Sequence, residues 1–286
     1  MGELTELVDG IDFGEGPRWH DGRLWYSDFY QHEIRAVDTN GNQEVMVGAD
    51  RLGDRRPSGL GWLPDGSLLI VSMAEQELLR LENDGSLSSY ADLSSVATGY
   101  CNDMVVDEAG RAYVGNFGFD LEAGEELVPA SMALVQADGS VSAAADGLLF
   151  PNGTVITPDG STLIVGQTFG SDYQAFDIDP SDGSLSNRRT WATIEGTAPD
   201  GCALDADGAI WFADATGKKV VRVAEGGEVL QTLDVGQPTF ACMLGGDDGK
   251  TLFILSSDGA SPTDCAGTAT GKIRTVVVDS PAAGRP

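Results

Sequence analysis

The chain has 286 residues, and its 45 acidic against 17 basic side chains give a formal net charge of −28 at pH 7. This excess of negative charge argues against nucleic acid and anionic membrane surfaces as partners. No apolar run approaches the length that spans a membrane, and the acidic start MGELTELVDG lacks the apolar core of a signal peptide. We therefore expect a cytoplasmic protein.

Residues 14–28, GEGPRWHDGRLWYSD, introduce a pattern that the rest of the chain repeats. A polar residue leads a short apolar run, a glycine-containing turn follows, and a second apolar run completes the unit. Further copies occupy residues 57–71, 100–115, 151–166 and 198–215, and a weaker copy occupies residues 238–255. The leading positions of these units are 15, 58, 102, 152, 200 and roughly 239.

A period of about 40–50 residues with several short strands in each unit is typical of β-propeller blades. Six such units fill the chain, and its 38 glycines and 12 prolines suit a fold rich in turns. The sequence therefore predicts one domain over residues 1–286, an all-β six-bladed β-propeller with four-stranded antiparallel blades. Residues 4–8 are predicted to supply the outer strand of the last blade and so to close the ring.

The leading residue of each unit precedes the innermost strand of its blade, so these residues should converge on one mouth of the central channel. Four of them carry a carboxylate or an amide oxygen: Glu15, Asn102, Asn152 and Asp200. An all-oxygen set with two negative charges suits a hard divalent cation, with Ca²⁺ the first candidate and Mg²⁺, Mn²⁺, Zn²⁺ or Fe²⁺ also compatible. The alternative is that the Asx-Gly pairs are turn residues that hydrogen-bond to their own backbone.

Four motifs together resemble the regucalcin/gluconolactonase family of six-bladed propellers: GEGPRW at Glu15, CNDMVVD at Asn102, FPNG at Asn152 and PDGCALD at Asp200. The similarity covers essentially the whole chain, including GGDDGKTLFIL near its end. The resemblance implies one divalent metal at the channel mouth, with Glu15, Asn152 and Asp200 as its ligands. It also implies that Asn102 lies beside the metal and contacts the substrate, that Asp200 serves as a base, and that a lactone is hydrolysed.

Lactone hydrolysis needs a polarised carbonyl and an activated water, which a divalent metal and a carboxylate base can supply. The chain has two histidines, His20 in a predicted turn and His32 in a loop, and it has no nucleophile-elbow motif. Two alternatives remain open: a phosphotriester hydrolase on the same metal site and a non-catalytic calcium-binding propeller. The expected partner is a small lactone or ester, and the expected state is a monomer or a weak homo-oligomer.

The third unit is longer than its counterparts, and residues 115–131 are predicted to form a loop at the channel mouth. Phe117, Phe119 and Asp120 are candidates to line the substrate pocket. The alternative is a surface insertion whose phenylalanines pack onto the blade.

Cys101 is also assigned to the substrate pocket, because it directly precedes Asn102. Several sugar-lactone members of the family that this chain resembles have arginine at that place. Cysteine cannot donate the paired hydrogen bonds that arginine can offer to sugar hydroxyls. We therefore expect a lactone with fewer hydroxyls than gluconolactone. Cys265 lies in a predicted loop and is expected to be exposed.

Overall fold

A computed structural model describes residues 2–286, which form six antiparallel sheets of four strands each. This arrangement confirms the predicted all-β six-bladed propeller with four-stranded antiparallel blades. Two helices of four residues, α1 (Ala49–Leu52) and α2 (Pro262–Cys265), lie in connections between strands. No helix within residues 2–286 combines the length and the apolar character needed to cross a membrane.

The strands follow one another along the chain from β1 (Thr5–Ile11). Blade one contains β2 (Gly14–His20), β3 (Arg23–Asp28), β4 (Glu33–Val37) and β5 (Gln43–Val47). Blade two contains β6 (Pro57–Trp62), β7 (Leu68–Ser72), β8 (Glu77–Leu81) and β9 (Leu87–Asp92). Blade three contains β10 (Cys101–Val106), β11 (Ala112–Asn116), β12 (Ala130–Val135) and β13 (Val141–Leu148). Blade four contains β14 (Pro151–Ile156), β15 (Thr162–Gln167), β16 (Asp172–Ile178) and β17 (Leu185–Thr193). Blade five contains β18 (Pro199–Leu204), β19 (Ile210–Asp214), β20 (Lys219–Val223) and β21 (Val229–Asp234). Blade six contains β22 (Thr239–Gly245), β23 (Thr251–Ser256) and β24 (Gly271–Val277).

The N-terminal strand β1 belongs to blade six, where it pairs antiparallel with β24 at the outer edge of the sheet. The inner strands β2, β6, β10, β14, β18 and β22 each pack against the next, and β22 packs against β2. The apolar core lies between adjacent blades. For example, Trp25 and Ile34 of blade one pack with Leu60 and Ile70 of blade two.

Every inner strand shifts its register against the second strand of its blade near its start. In blade four the shift falls between Pro151 and Thr154, and it therefore includes Asn152. Such β-bulges redirect side chains and are frequent next to active sites. The bulge thus offers a local reason why the second residue of an inner strand can face the channel mouth.

The glycines that follow the leading residues allow adjacent inner strands to approach closely. A Cβ at Gly59 would lie 2.6 Å from the backbone nitrogen of Met104, and a Cβ at Gly201 would lie 2.7 Å from the Cβ of Ala241. Both glycines lie inside inner strands rather than in hairpin turns. The interpretation of these polar-Gly pairs as hairpin turns is therefore wrong, although Glu15 and Asp200 do accept hydrogen bonds from the N–H of the glycine that follows them.

Two expectations about single residues are corrected. His20 ends β2 instead of lying in a turn, and its ring stacks on Trp62 with the centroids 4.0 Å apart. Cys265 is buried rather than exposed, because α2 turns its thiol inward, where Sγ donates to the carbonyl oxygen of Gly259 at 2.9 Å.

Candidate metal-binding and active site

The second residues of the inner strands come together at one mouth of the channel. In chain order they are Glu15, Ser58, Asn102, Asn152, Asp200 and Phe240. Glu15, Asn102, Asn152 and Asp200 line one cavity of about 530 Å³, together with Phe240. All four of these polar side chains are buried, with exposed fractions of 3–7%. The structure therefore brings together the four carboxylate and amide residues that the repeat singles out.

The two carboxylates of this group lie in an unfavourable electrostatic environment. Burial, followed by the charges of Asp200 and Asp103, raises the pKa of Glu15 well above its ordinary value. Burial and the charge of Asp103 likewise raise the pKa of Asp200, although hydrogen bonds from Gly201 and Asn152 oppose the shift. Two buried acids that repel each other need protons or a cation to be stable there.

The two amides are held by neighbouring hydroxyl groups. The Nδ2 of Asn152 donates to the Oγ1 of Thr168 at 3.2 Å, and Thr168 in turn donates to the carbonyl of Pro199 at 2.8 Å. The Oγ of Ser58 donates to the Oδ1 of Asn102 at 3.3 Å. The amide oxygen of Asn152 and the amide nitrogen of Asn102 thus remain as polar groups at the cavity floor.

An ion pair lies behind this floor. The guanidinium of Arg18 donates to the Oδ1 of Asp103 at 2.6 Å and to the carbonyl oxygens of Met104 and Pro17. Arg18 also lines a second cavity, of about 690 Å³, which is formed by the far ends of the inner strands. Among residues 2–286, the Arg18 guanidinium donates to these three acceptors and not to Glu15.

The donor set fits a hard divalent cation. The Oε2 of Glu15 accepts only the N–H of Gly16 among the bonds formed by residues 2–286, at 2.9 Å. The same residues contain no cluster of three or more His, Cys, Asp or Glu that could hold a metal. A cation here would therefore be bound by two carboxylates and by amide oxygen, which are the ligands that Ca²⁺ and Mg²⁺ prefer.

Aromatic side chains form the walls above this polar floor. On one side Phe13 packs against Phe29 and Phe240, with centroid distances of 5.1 and 4.8 Å. On the other side Phe150 stacks on Phe117 at 4.2 Å and at an interplanar angle of 21°. Most of the wall above the four polar residues is therefore apolar.

The predicted pocket residues occupy different places. Phe117 lines the cavity, whereas Phe119 is buried beside it and contacts Phe150 and Phe169 at centroid distances of 6.2 and 6.1 Å. Asp120 is exposed, and its Oδ1 accepts the N–H of Ala123 within the loop. Cys101 is 1% exposed and packs into the apolar core between blades two and three rather than lining the cavity.

The sequence does not by itself mark several of the residues that line the cavity as candidates. Phe13, Arg56, Phe150 and Ala198 line the cavity, and each stands two positions before the leading residue of its unit. That shared position in the repeat is the signal that could have identified them. Tyr100 occupies the equivalent position of blade three, and the guanidinium of Arg56 lies 4.8 Å from the centre of its ring.

Arg56 brings a positive charge to the cavity lining, and the loop of blade three neutralises it. Its guanidinium forms an ion pair with the carboxylate of Glu122, and both residues line the cavity. The loop between β11 and β12, which spans residues 117–129 and not the predicted 115–131, is thus tied to blade two across the mouth of the channel.

Comparisons with known proteins agree with this architecture. Residues 13–258 match the family model described as "SMP-30/Gluconolactonase/LRE-like region". Regucalcin of Danio rerio is 31% identical over 176 residues, which are 60% of this chain and 59% of that protein. Pentonolactonase XacC of Haloferax volcanii is 26% identical over 263 residues, which are 90% of this chain and 86% of that protein. The solved structure of a luciferin-regenerating enzyme superposes with a TM-score of 0.84 at 18% identity, covering 99% of this chain and 98% of the other. Because the family model spans most of its length, the chain belongs to the SMP-30/gluconolactonase/LRE-like family.

Proposed function

We propose that the protein is a hydrolase that opens a lactone with one bound divalent metal ion, Ca²⁺ being the first candidate. We further propose that it prefers lactones with fewer hydroxyls than gluconolactone. The observation that carries the proposal is the meeting of two buried carboxylates and two amides at the floor of a cavity with aromatic walls. Membership of the SMP-30/gluconolactonase/LRE-like family and similarity to a pentonolactonase support the reaction class.

Each polar residue of the floor has a role in this proposal. Glu15, Asn152 and Asp200 would hold the ion through their side-chain oxygens. A bound divalent ion polarises a carbonyl and lowers the pKa of a water molecule. Asp200 accepts the proton of the attacking water on a carboxylate oxygen. Asn102 uses its free amide nitrogen to orient the substrate.

The proposed preference for lactones with few hydroxyls is based on the apolar walls of the cavity. Phe13, Phe117, Phe150 and Phe240 offer no hydrogen-bond partner to a sugar hydroxyl, and the guanidinium of Arg56 is already occupied by Glu122. Each hydroxyl buried without a partner costs about 1–3 kcal/mol. An aldonolactone would therefore bind less favourably than an unsubstituted ring.

Metal-dependent turnover tests the reaction. The protein is treated with a chelator and reloaded with Ca²⁺, Mg²⁺, Mn²⁺, Zn²⁺ or Fe²⁺ singly, and the acid released from a lactone panel is titrated. Asp200→Asn should fold normally but lose turnover, because it removes a metal-ligand charge and the proposed base together. Asp159→Asn, in an exposed turn between β14 and β15, is the matched control and should keep wild-type turnover.

The same experiment separates the alternatives. Turnover that survives both chelation and Asp200→Asn would place the reaction elsewhere in the molecule. Hydrolysis of an aryl phosphotriester in the panel, without hydrolysis of lactones, would favour the phosphotriester hydrolase. Tight calcium binding measured by calorimetry, with no substrate in the panel consumed, would favour the non-catalytic propeller.

Steady-state kinetics with gluconolactone and δ-valerolactone test the substrate preference. We expect kcat/KM to be higher for δ-valerolactone, by roughly tenfold or more for each hydroxyl pairing that the site lacks. A clear preference for gluconolactone would contradict this part of the proposal while leaving the reaction class intact.

A further inference from the structure

One side of the cavity is a continuous aromatic wall that runs from the polar floor to the solvent. We call Phe117, Phe150 and Phe169 the Phe150 wall, and Phe119 packs against it from outside the cavity. Phe150 is 5% exposed and precedes Asn152 by two residues, whereas Phe169 is 45% exposed at the outer end. The rings of Phe150 and Phe169 meet edge to face with their centroids 5.2 Å apart. Leu121, 44% exposed, also lines this cavity.

The backbone that carries Phe150 is strained. Its φ is +59°, in the left-handed region that a bulky side chain rarely adopts. The following residue is Pro151, and a residue before proline is further restricted to extended conformations. Phe13, Arg56, Tyr100 and Ala198 occupy the equivalent position in other blades and have no positive φ. The strain is therefore particular to this blade and is not a requirement of the propeller.

Local hydrogen bonds keep this conformation in place. The carbonyl of Phe150 accepts the N–H of Thr168 at 3.0 Å, and the carbonyl of Leu149 accepts the N–H of Phe169 at 3.3 Å. The Oε1 of Gln167 accepts the N–H of Leu149 at 2.8 Å. Backbone strain that is held in this way tends to cluster at ligand sites. These bonds hold the backbone at Phe150, whose ring lines the same cavity as Asn102 and Asn152.

The cavity is larger than one lactone ring requires. Its volume of about 530 Å³ lies within the range of about 300–1,000 Å³ that is usual for sites of drug-sized ligands. A substituent on a ring bound at the floor would extend along the Phe150 wall toward Phe169 and Leu121. Both of these outer residues present apolar surface to solvent, which an apolar substituent would cover.

We propose that Phe150, Phe169 and Leu121 form a subsite for an alkyl substituent on the lactone ring, and that the strained backbone at Phe150 is kept to hold this subsite open. The proposal rests on the lactone hydrolysis proposed above. It makes Phe150 a specificity-determining residue, and it makes alkyl-substituted lactones the substrate class.

Paired substrates test the subsite. kcat/KM is measured for δ-decalactone, which carries a pentyl chain, and for unsubstituted δ-valerolactone. The wild-type protein should favour δ-decalactone by about tenfold or more. Phe150→Ala and Phe169→Ala should each reduce that ratio severalfold. Val277→Ala, at an exposed apolar position on β24, is the control and should leave the ratio unchanged. A ratio near one, or one that neither phenylalanine substitution alters, would overturn the proposal even if both lactones are hydrolysed.

A binding measurement separates this result from a failure of the proposed reaction. The lactam analogues of the two lactones resist hydrolysis, and their affinities can be measured by calorimetry. Tighter binding of the pentyl lactam that is lost in Phe169→Ala would support the subsite even if no lactone were hydrolysed. Equal affinity for both lactams would overturn it.

The strain has its own test. Phe150→Gly and Phe150→Ala both remove the ring, but glycine accepts a positive φ without strain and alanine does not. Phe150→Gly should therefore have a Tm above that of Phe150→Ala, by about 2–4 °C. A lower Tm for the glycine variant would show that the backbone is not held under strain.

Discussion

Glu15 and Asp200 are two single residues whose burial lowers the stability of the metal-free protein but serves the proposed metal site. Each carboxyl is buried, and each has its pKa raised by burial and by neighbouring negative charge. When the pKa of a carboxyl is higher in the folded protein than in the unfolded chain, the folded protein binds more protons at every pH between those two pKa values. The stability present at acid pH is therefore lost as the pH rises through the raised folded pKa values. A bound cation would remove this penalty.

We predict that Glu15→Gln stabilises the metal-free protein at neutral pH. The substitution removes one of the repelling charges, so its Tm should exceed that of the wild-type protein at about pH 7. The difference should vanish below about pH 3, where a carboxyl with the ordinary pKa of about 4.3 is almost fully protonated even in the unfolded chain. Thermal unfolding in chelator at a series of pH values measures this.

With Ca²⁺ added, the wild-type protein should have a higher Tm than Glu15→Gln, because it keeps both carboxylates that would bind the ion. Glu44→Gln, in an exposed strand of blade one, controls for a general effect of removing negative charge from an acidic protein. A metal-free Glu15→Gln variant that melts below the wild-type protein at neutral pH would contradict the repulsion described here.

At the scale of elements, the last residue of the second strand of a blade has the same structural role in several blades, which is to hold a neighbouring loop in place. Its side chain accepts hydrogen bonds from backbone N–H groups of the loop that leads into the inner strand. In blade one Asp28 accepts the N–H groups of Asp12 and Phe13 at 3.0 and 3.2 Å. In blade five Asp214 accepts the N–H of Ala198 at 2.9 Å, and in blade three Asn116 accepts the N–H of Thr98 at 3.4 Å. These bonds fix the residues that lead into the inner strands.

Asp28→Ala is predicted to destabilise the protein, because it leaves two buried backbone N–H groups without acceptors. Each such group costs about 1–3 kcal/mol, and each kcal/mol lowers the Tm by about 2–4 °C in a protein of this size class. Asp28→Asn keeps one acceptor oxygen and should give an intermediate Tm. Calorimetry of both variants provides the measurement, and a wild-type Tm for Asp28→Ala would exclude the anchoring role.

The repeat explains how much the sequence could predict. Glu15, Asn102, Asn152 and Asp200 share one position in a repeating unit, so their convergence follows from the propeller alone. The aromatic character of the walls does not follow from it. The position of Phe13 and Phe150, two residues before the leading residue, holds an arginine and an alanine in other blades, so the repeat does not mark it as aromatic.

Other features have no visible signal in the sequence. The left-handed backbone of Phe150 runs against the preference of a residue before proline, so local propensity predicts the opposite conformation. Cys101 was assigned to the substrate pocket by its place beside Asn102. Neighbours along a strand face opposite sides, however, and its side chain packs into the core. The fold was therefore more predictable than the lining of its cavity.

At the scale of the whole molecule, the site exists only while the ring is closed. Its polar residues come from blades one, three, four and five, and blade one is joined to blade six through β1. In blade six β1 buries Val8 and Ile11, which are 4% and 0% exposed. An ion pair from Lys272 to Glu6, at 2.6 Å, adds a contact at the surface of the same strand pair. Without β1, β24 would become an unpaired edge.

We predict that a chain lacking residues 1–9 is less stable and prone to aggregate. The loss of Val8 alone removes a buried side chain that contributes about 1.5–3 kcal/mol, so the Tm should fall by at least about 3 °C. The exposed edge of β24 offers unpaired N–H and C=O groups to other molecules, and light scattering should detect the resulting association. A chain lacking only residues 2 and 3 keeps β1 and should behave like the wild-type protein. An unchanged melting curve and a monodisperse sample for the longer deletion would mean that the pairing of β1 with β24 does not hold the ring closed.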